Sequence, residues 1–195
     1  FCTGAGNDGS CAPSGIERIE SMTINGPSVQ TSGVDLFAEY QMELGAGILN
    51  IGTDISHTME YEQDAYFKGG VLVGSAYDAA GFLNGGRSAR PLPDLKGRLY
   101  GEYNLGDHNF LLYANHITSY DDDRYAGVEV DAQTTYDLHY QLSLMGDSAR
   151  VTLSAINLSD EQPPVARLDL GYDGYTHNAF GRMIKLGLEY TLSDG

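Results

Sequence analysis

The side chains best suited to chemistry in this chain are few and scattered. Cys2 and Cys11 flank eight residues of a stretch rich in Gly, Asn and Ser. Such a loop can bring two Cα atoms within bridging distance, so a disulfide and an oxidising compartment are expected. Two free thiols are the competing reading, and a zinc site lacks the further ligands it needs. Asp121, Asp122 and Asp123 supply hard oxygen ligands and form a weak calcium candidate, without the Gly and late Glu of an EF-hand. A solvated acidic loop is the simpler reading of them. His57, His108, His116, His139 and His177 show no zinc-binding spacing, and Ser143 and Ser154 lack a nucleophile elbow. Gly45-Ala46-Gly47 has no helix after it and reads as a turn, not a phosphate cradle. These residues give no catalytic constellation. An enzyme is not expected, and neither a cofactor nor a resident metal is implied.

Ligand binding has one better candidate. The segment 62–94 carries Tyr66, Phe67, Tyr77, Phe82, Arg87 and Arg90. Aromatic faces and guanidinium forks grip bulky anionic or aromatic molecules by stacking and bidentate bonds. Tyr66, Phe67, Arg87 and Arg90 are therefore the candidate ligand-binding residues, and a loop without ligand contact is the alternative for each.

The composition narrows the class of partner. The chain has 195 residues, with 11 Lys and Arg against 27 Asp and Glu, a formal net charge of −16. Nucleic acid is not an expected partner, because phosphate binding needs clustered basic residues. Twenty-five Gly, 14 Tyr and no Trp suit many short-turned strands with amphipathic rings at a boundary. No apolar run is long enough for a transmembrane helix, which leaves alternating membrane strands open. The chain begins with Phe1, without Met and without a leader pattern, and is expected to be a piece of something longer.

Period-two alternation dominates from Gly33 onward. Val34, Leu36, Ala38, Tyr40, Met42 and Leu44 alternate with Asp35, Phe37, Glu39, Gln41 and Glu43. Similar runs are read at 48–61, 95–105, 110–120, 136–144, 151–155 and 181–192, so about seven long strands are predicted. Leu111 and Leu112 leave the facing of the 110–120 strand open. The stretch 16–25 is expected to add a short strand or hairpin. Short turns fall at 45–47, 106–109 and 145–148, and long loops at 62–94, 121–134 and 158–180. Strands of twelve or more residues exceed the usual soluble strand and suit a tilted membrane crossing. Short turns at one end and long loops at the other follow the asymmetry of outer-membrane barrels. Alternation alone also permits a sandwich, in which the apolar face would be a dry core.

Three segments carry a family resemblance. Thr31-Ser32-Gly33-Val34-Asp35-Leu36 resembles a strand opening of TonB-dependent outer-membrane receptors. Asn157-Leu158-Ser159-Asp160, followed by Pro163-Pro164, resembles their N-L-x-D-x-x-P-P segment. Gly181-Arg182 before Leu186, Leu188 and Tyr190 resembles their closing strand. Order and spacing match the end of that barrel. One departure is that the family usually ends on an aromatic residue, whereas here Leu192 is followed by Ser193, Asp194 and Gly195.

The resemblance implies an all-β fold: antiparallel up-and-down strands forming the C-terminal segment of a transmembrane β-barrel, about the last third of 22 strands. Residues 1–29 would be a disulfide-bearing extracellular loop with a short hairpin, and 30–195 the barrel strands. The whole receptor would import a scarce nutrient (a ferric siderophore, a cobalamin or a glycan) through the outer membrane of a Gram-negative cell. Its implied partners are outer-membrane lipid, the remaining barrel and plug, and TonB through the absent N-terminal part. The segment by itself is expected to self-associate through open strand edges. The alternative is a soluble extracellular β-sandwich that binds carbohydrate.

Overall fold

A computed structural model of the chain describes residues 25–146 and 148–191. Cys2 and Cys11, the short element expected at 16–25 apart from Asn25, and Ser193 to Gly195 lie outside the described residues. Twelve strands follow in order: β1 Val29–Leu44, β2 Gly47–Gln63, β3 Tyr66–Lys68, β4 Val71–Gly74, β5 Tyr77–Asp78, β6 Leu95–Leu105, β7 His108–Ile117, β8 Tyr120–Asp121, β9 Glu129–Val130, β10 Gln133–Leu144, β11 Ala149–Ile156 and β12 Met183–Tyr190. Seven long strands form one antiparallel sheet in the order β1-β2-β6-β7-β10-β11-β12, with β5 added beside β2. Each long strand pairs with the next long strand in the chain, an up-and-down meander open at β1 and β12.

The alternation read in the sequence becomes two faces because, beyond a single shift between Ser32 and Gly33 near the start of β1, the register between long strands holds. Leu36 pairs with Ile55 and Tyr40 with Ile51. Thr53 pairs with Leu99, and Tyr103 with Phe110. Leu138 lies opposite Leu112 and Ala155, and Leu153 opposite Leu186. One unbroken apolar face therefore runs across all seven strands. Leu112 lies on it and Leu111 on the polar face, which settles the facing of β7.

The opposite face is polar and bonded to itself. Ser56 donates to Asp35 at 2.6 Å. Asn50 and Asn109 both donate to Glu102, at 3.2 and 2.6 Å. Arg98 donates to Asn115, and Asn115 in turn to Asp137, at 3.0 and 2.9 Å. His139 and Ser154 lie 2.8 Å apart. Charged and amide groups on neighbouring strands satisfy one another in this way.

The sorting of burial is the reverse of an ordinary soluble sheet. Leu36, Leu138 and Leu188, all on the apolar face, are 52%, 37% and 77% exposed. No described element packs over that face. The buried hydrophobic residues, Ala79, Leu83, Tyr120, Val130 and Ala166, lie instead in the long connections at one end.

Two tyrosines lie over glycines and tie three strands together. The Tyr100 ring on β6 occupies the space that a Cβ at Gly52 of β2 would need. Its hydroxyl reaches past β2 to donate to Glu39 of β1 at 2.8 Å. On the other face the Tyr103 ring covers Gly47, where a Cβ would lie 2.7 Å from Cζ, and its hydroxyl donates to the Leu44 carbonyl at 2.9 Å. The gap left by glycine in a pleat is thus filled by a neighbouring ring.

The segment 62–94, read as irregular, is partly regular. β2 continues to Gln63, β3 and β4 form a hairpin, and β5 pairs with Glu62 and Gln63. Its short alternations were hidden by Gly69-Gly70 and Gly85-Gly86, which read as loop.

Replacing Gly52 by Ala is expected to displace the Tyr100 ring and destabilise the fold by about 1–3 kcal/mol in chemical denaturation. In a Y100A background, where no ring needs the space, most of that cost should disappear.

Candidate functional site

The long connections fold into a cap at one end of the sheet, and backbone pairing builds it. Phe82 makes an antiparallel bridge to Leu92 and a parallel bridge to Asp121 of β8. Val165 bridges to Tyr172. Leu83, Tyr120, Val130 and Ala166 form a small apolar cluster against which Leu168 packs. Residues far apart in sequence share this cluster, so each loop holds the others in place.

Polar side chains fix the loop paths. Asn84, buried at φ 54°, donates its amide to the carbonyls of Ala79, Phe82 and Arg90 at 2.9–3.1 Å. The Asp123 carboxylate accepts from Gly85 N and Gly86 N at 2.7 and 3.1 Å. Asp122, also buried, receives both Nε and Nη2 of Arg124, at 3.0 and 3.1 Å. The Arg124 guanidinium holds the Asp122 carboxyl below its ordinary range, with burial opposing.

The three carboxylates of the calcium candidate are therefore committed separately. Asp122 is bound by Arg124, Asp123 by two backbone amides, and Asp121 lies exposed on β8 opposite Glu129. Among the described residues no group of three His, Cys, Asp or Glu converges on a cation position.

The candidate ligand residues are not brought to one place. Tyr66 and Phe67 belong to the β3–β4 hairpin, which forms its own two-stranded sheet, and Phe67 is exposed. Arg87 turns inward. It donates to the Asp78 carbonyl at 2.8 Å and lies over both the Tyr77 and Phe82 rings at 4.9 and 4.7 Å. Arg90 is exposed and lies 4.7 Å from the Tyr175 ring centroid.

The buried centre of the cap is a chain of four side chains that the sequence reading did not join. Tyr120 donates to Asp173 Oδ2 at 2.8 Å and lies 3.1 Å from His177 Nε2, with the two rings stacked at 9°. His177 Nδ1 faces Gln133 Oε1 at 2.8 Å, and the Gln133 amide donates to the Gln162 carbonyl. Because Gln133 presents its oxygen, Nδ1 carries a proton, and in the neutral ring the bare Nε2 shares the single Tyr120 proton with Asp173 Oδ2. Burial raises the Tyr120 pKa, and the hydrogen bond to Asp173 raises it further. Burial lowers the His177 pKa, with the Asp173 charge opposing and Lys96 adding to the fall. The neutral imidazole is the resting form at neutral pH. Tyr120, at the end of the strand read at 110–120, is thus an interior hub. Its partners lie 53 and 57 positions away, so no local pattern announces them.

The two later motifs of the family resemblance grip each other at the base of this cap. Asn157, at φ 52°, bonds through both ends of its amide to the Glu161 backbone, at 2.8 and 2.9 Å. Asp160 Oδ1 accepts from Arg182 N at 2.7 Å, and Arg182 Nη1 donates to the Leu158 carbonyl at 3.3 Å. Gly181 adopts φ 64°, and a Cβ there would lie 2.8 Å from Asp160 Oδ1. The loop leaving β11 is in this way clasped to the segment entering β12. The first motif has a similar cause. Gly33 sits at a register shift, where a Cβ would lie 2.6 Å from the His57 carbonyl.

Several recesses open on these loops. One of about 220 Å³ lies on the polar side, lined by Gln133, Asp137, Asn157 and His177 among others. Another of about 490 Å³ lies between Gly85, Arg124 and the 167–175 segment. No family model matches the chain, and comparison with curated proteins and with solved structures finds no match.

The sign of the pH response follows from His177. The unfolded imidazole takes up a proton near pH 6.5, whereas the folded one resists it. Cap stability is therefore present above that pH and falls as pH drops through it, until the lower folded pKa is reached. Protection factors of amides across 160–180, corrected for the intrinsic exchange rate at each pH, should fall from pH 7.5 to 5.5, and H177Q should flatten that dependence. Below the ordinary carboxylate range, loss of the Asp122 charge should loosen the cap further.

Proposed function

We propose that this sheet is part of the wall of a membrane-spanning β-barrel, the C-terminal strands of an outer-membrane nutrient receptor of the TonB-dependent type. The observation that carries the reading is the inverted sorting of the two faces. Leu36, Tyr40, Leu99, Leu112, Leu138, Leu153, Leu186 and Leu188 form one exposed apolar face. The opposite face holds Asp35, Glu39, Glu102, Asp137 and Lys185, most of them bonded across strands. In water such a surface would be a severe liability. Against acyl chains it is the required arrangement, with the polar face turned to the lumen.

Several further features support it. β1 has 16 residues, about 50 Å at the usual rise, enough to cross a hydrocarbon layer at a tilt and project beyond it. His108, Phe110 and Tyr140 cluster near the short-turn end of the apolar face, with the Phe110 and Tyr140 centroids 5.0 Å apart. An aromatic belt at a membrane boundary would have this composition. The three motif segments serve as a strand-opening bulge and a loop clasp, roles that suit a barrel wall with long outer loops. By this reading the cap faces outside, and the whole receptor takes up a ferric siderophore, a cobalamin or a glycan. Remaining strands, a plug and TonB would complete it. The alternative sandwich needs a second sheet over the apolar face, and no described element lies there.

The two open edges need partners. β1 and β12 each present a row of unpaired backbone groups, to be met by the rest of the barrel or by another copy.

The absence of Trp in this sequence gives a direct test. A single Trp at Leu138 or Leu188 should be strongly quenched by lipids brominated in the acyl chain, in protein reconstituted into vesicles. A Trp at Leu111, on the polar face, should be quenched far less. Equal quenching at both faces, or none at Leu138, would remove the membrane assignment.

A further inference from the structure

The recess of about 490 Å³ in the cap has a wall chemistry that points to a ligand class. Arg124 and Arg167 both line it, and both guanidiniums gather on one ring. Arg167 lies 4.5 Å from the Tyr125 centroid and Arg124 lies 5.6 Å from it. Arg124 Nη2 also donates to the Arg167 carbonyl at 2.6 Å, which holds the two side by side. Asp122 binds Arg124 closely. Arg167 has no carboxylate within 4.0 Å among the described residues. The same holds for Arg90, whose guanidinium stacks on Tyr175, a further lining residue. One acid, Asp169, reaches the lining. In a chain with 27 acidic and 11 basic residues, two cations held beside one another, only one of them in a close ion pair among the described residues, are a local reversal. The remaining wall is apolar or aromatic, with Leu168, Leu170, Tyr172 and Tyr175.

We propose that this recess binds a small organic anion with a flat apolar body, its acid group on Arg167 and its body against the leucines and tyrosines. The volume is that of a small-molecule site, and the wall has the usual mixture of apolar surface and few placed polar groups. A guanidinium already stacked on a ring loses little freedom when it takes a carboxylate or sulfonate in bidentate fashion. The recess is built wholly from cap residues, so this inference stands whether or not the sheet crosses a membrane.

The test uses 2-naphthoate and its neutral isostere 2-naphthamide, titrated into the full chain and followed by backbone amide resonances. Saturable shifts with 2-naphthoate are expected at Gly85, Arg124 and 167–175, with a dissociation constant in roughly the millimolar range or tighter. 2-Naphthamide should bind about tenfold more weakly or not at all. R167Q should weaken 2-naphthoate by about tenfold, with sheet resonances unmoved to show an intact fold. R167K, which keeps the charge and loses the fork, should fall between. K68Q, which removes a cation outside the recess, should change nothing. Absence of saturable shifts, equal binding of acid and amide, or indifference to R167Q would each overturn the proposal.

Discussion

Everything in this molecule depends on strand pairing that keeps one alternation of faces across seven strands from Gly33 onward. Side chains alternate with a period of two, so a slip of a single residue between any two long strands would turn Leu138 inward beside Asp137's present partners. The one shift, between Ser32 and Gly33, lies near the start of β1, and from Gly33 onward the ladder runs to β12 without another. The ladder thus converts a weak pattern in each segment into two continuous surfaces of opposite character. The polar surface saturates itself with cross-strand bonds from Ser56, Asn50, Asn109 and Asn115. The apolar surface has no complement within the described residues, and the functional reading rests on that imbalance.

The strands were legible because alternation is local. Leu95 to Leu105 was bounded in the sequence as in the structure, and the turns at Gly45, Gly106 and Gly146 were marked by residues that tolerate positive φ. The facing of β7 was not legible, because both Leu111 and Leu112 are apolar and only their cross-strand partners separate them. The cap was the least legible part. Tyr120, Gln133, Asp173 and His177 meet through the tertiary path of three loops, and nothing in their spacing records it. The acidic triplet misled for a related reason. Three adjacent carboxylates resemble a cation site until Arg124 and the Gly85 and Gly86 amides are seen to hold two of them. Arg87, picked out for its ligand chemistry, uses that same chemistry on Tyr77, Phe82 and the Asp78 carbonyl.

The motif residues acquire physical causes in the structure. Gly33 and Gly181 stand where a Cβ would meet a carbonyl or a carboxylate, and Asn157 closes its loop through both ends of its amide. The Asp160 to Arg182 contact joins two motifs that lie more than twenty positions apart in the chain. A pattern of Asn, Asp, Gly and Arg at these positions is what a long loop needs to leave one strand and re-enter the next without fraying. Its cause is geometric, which is separate from what the loop binds.

The meander also dictates an order of assembly. β1–β2 and β6–β7 are closed by two residues each, and β10–β11 by four, whereas the connections between these pairs run from 15 to about 30 residues. Chain-closure entropy grows with the logarithm of loop length, a difference of about 2 kcal/mol between the shortest and longest connections. Three hairpins should therefore zip first as local units of low contact order, with Tyr100 and Tyr103 stitching the first two together before the cap condenses. The cap's polar hub would be the last structure to form and the first to open, leaving a staved wall that outlives its own lid.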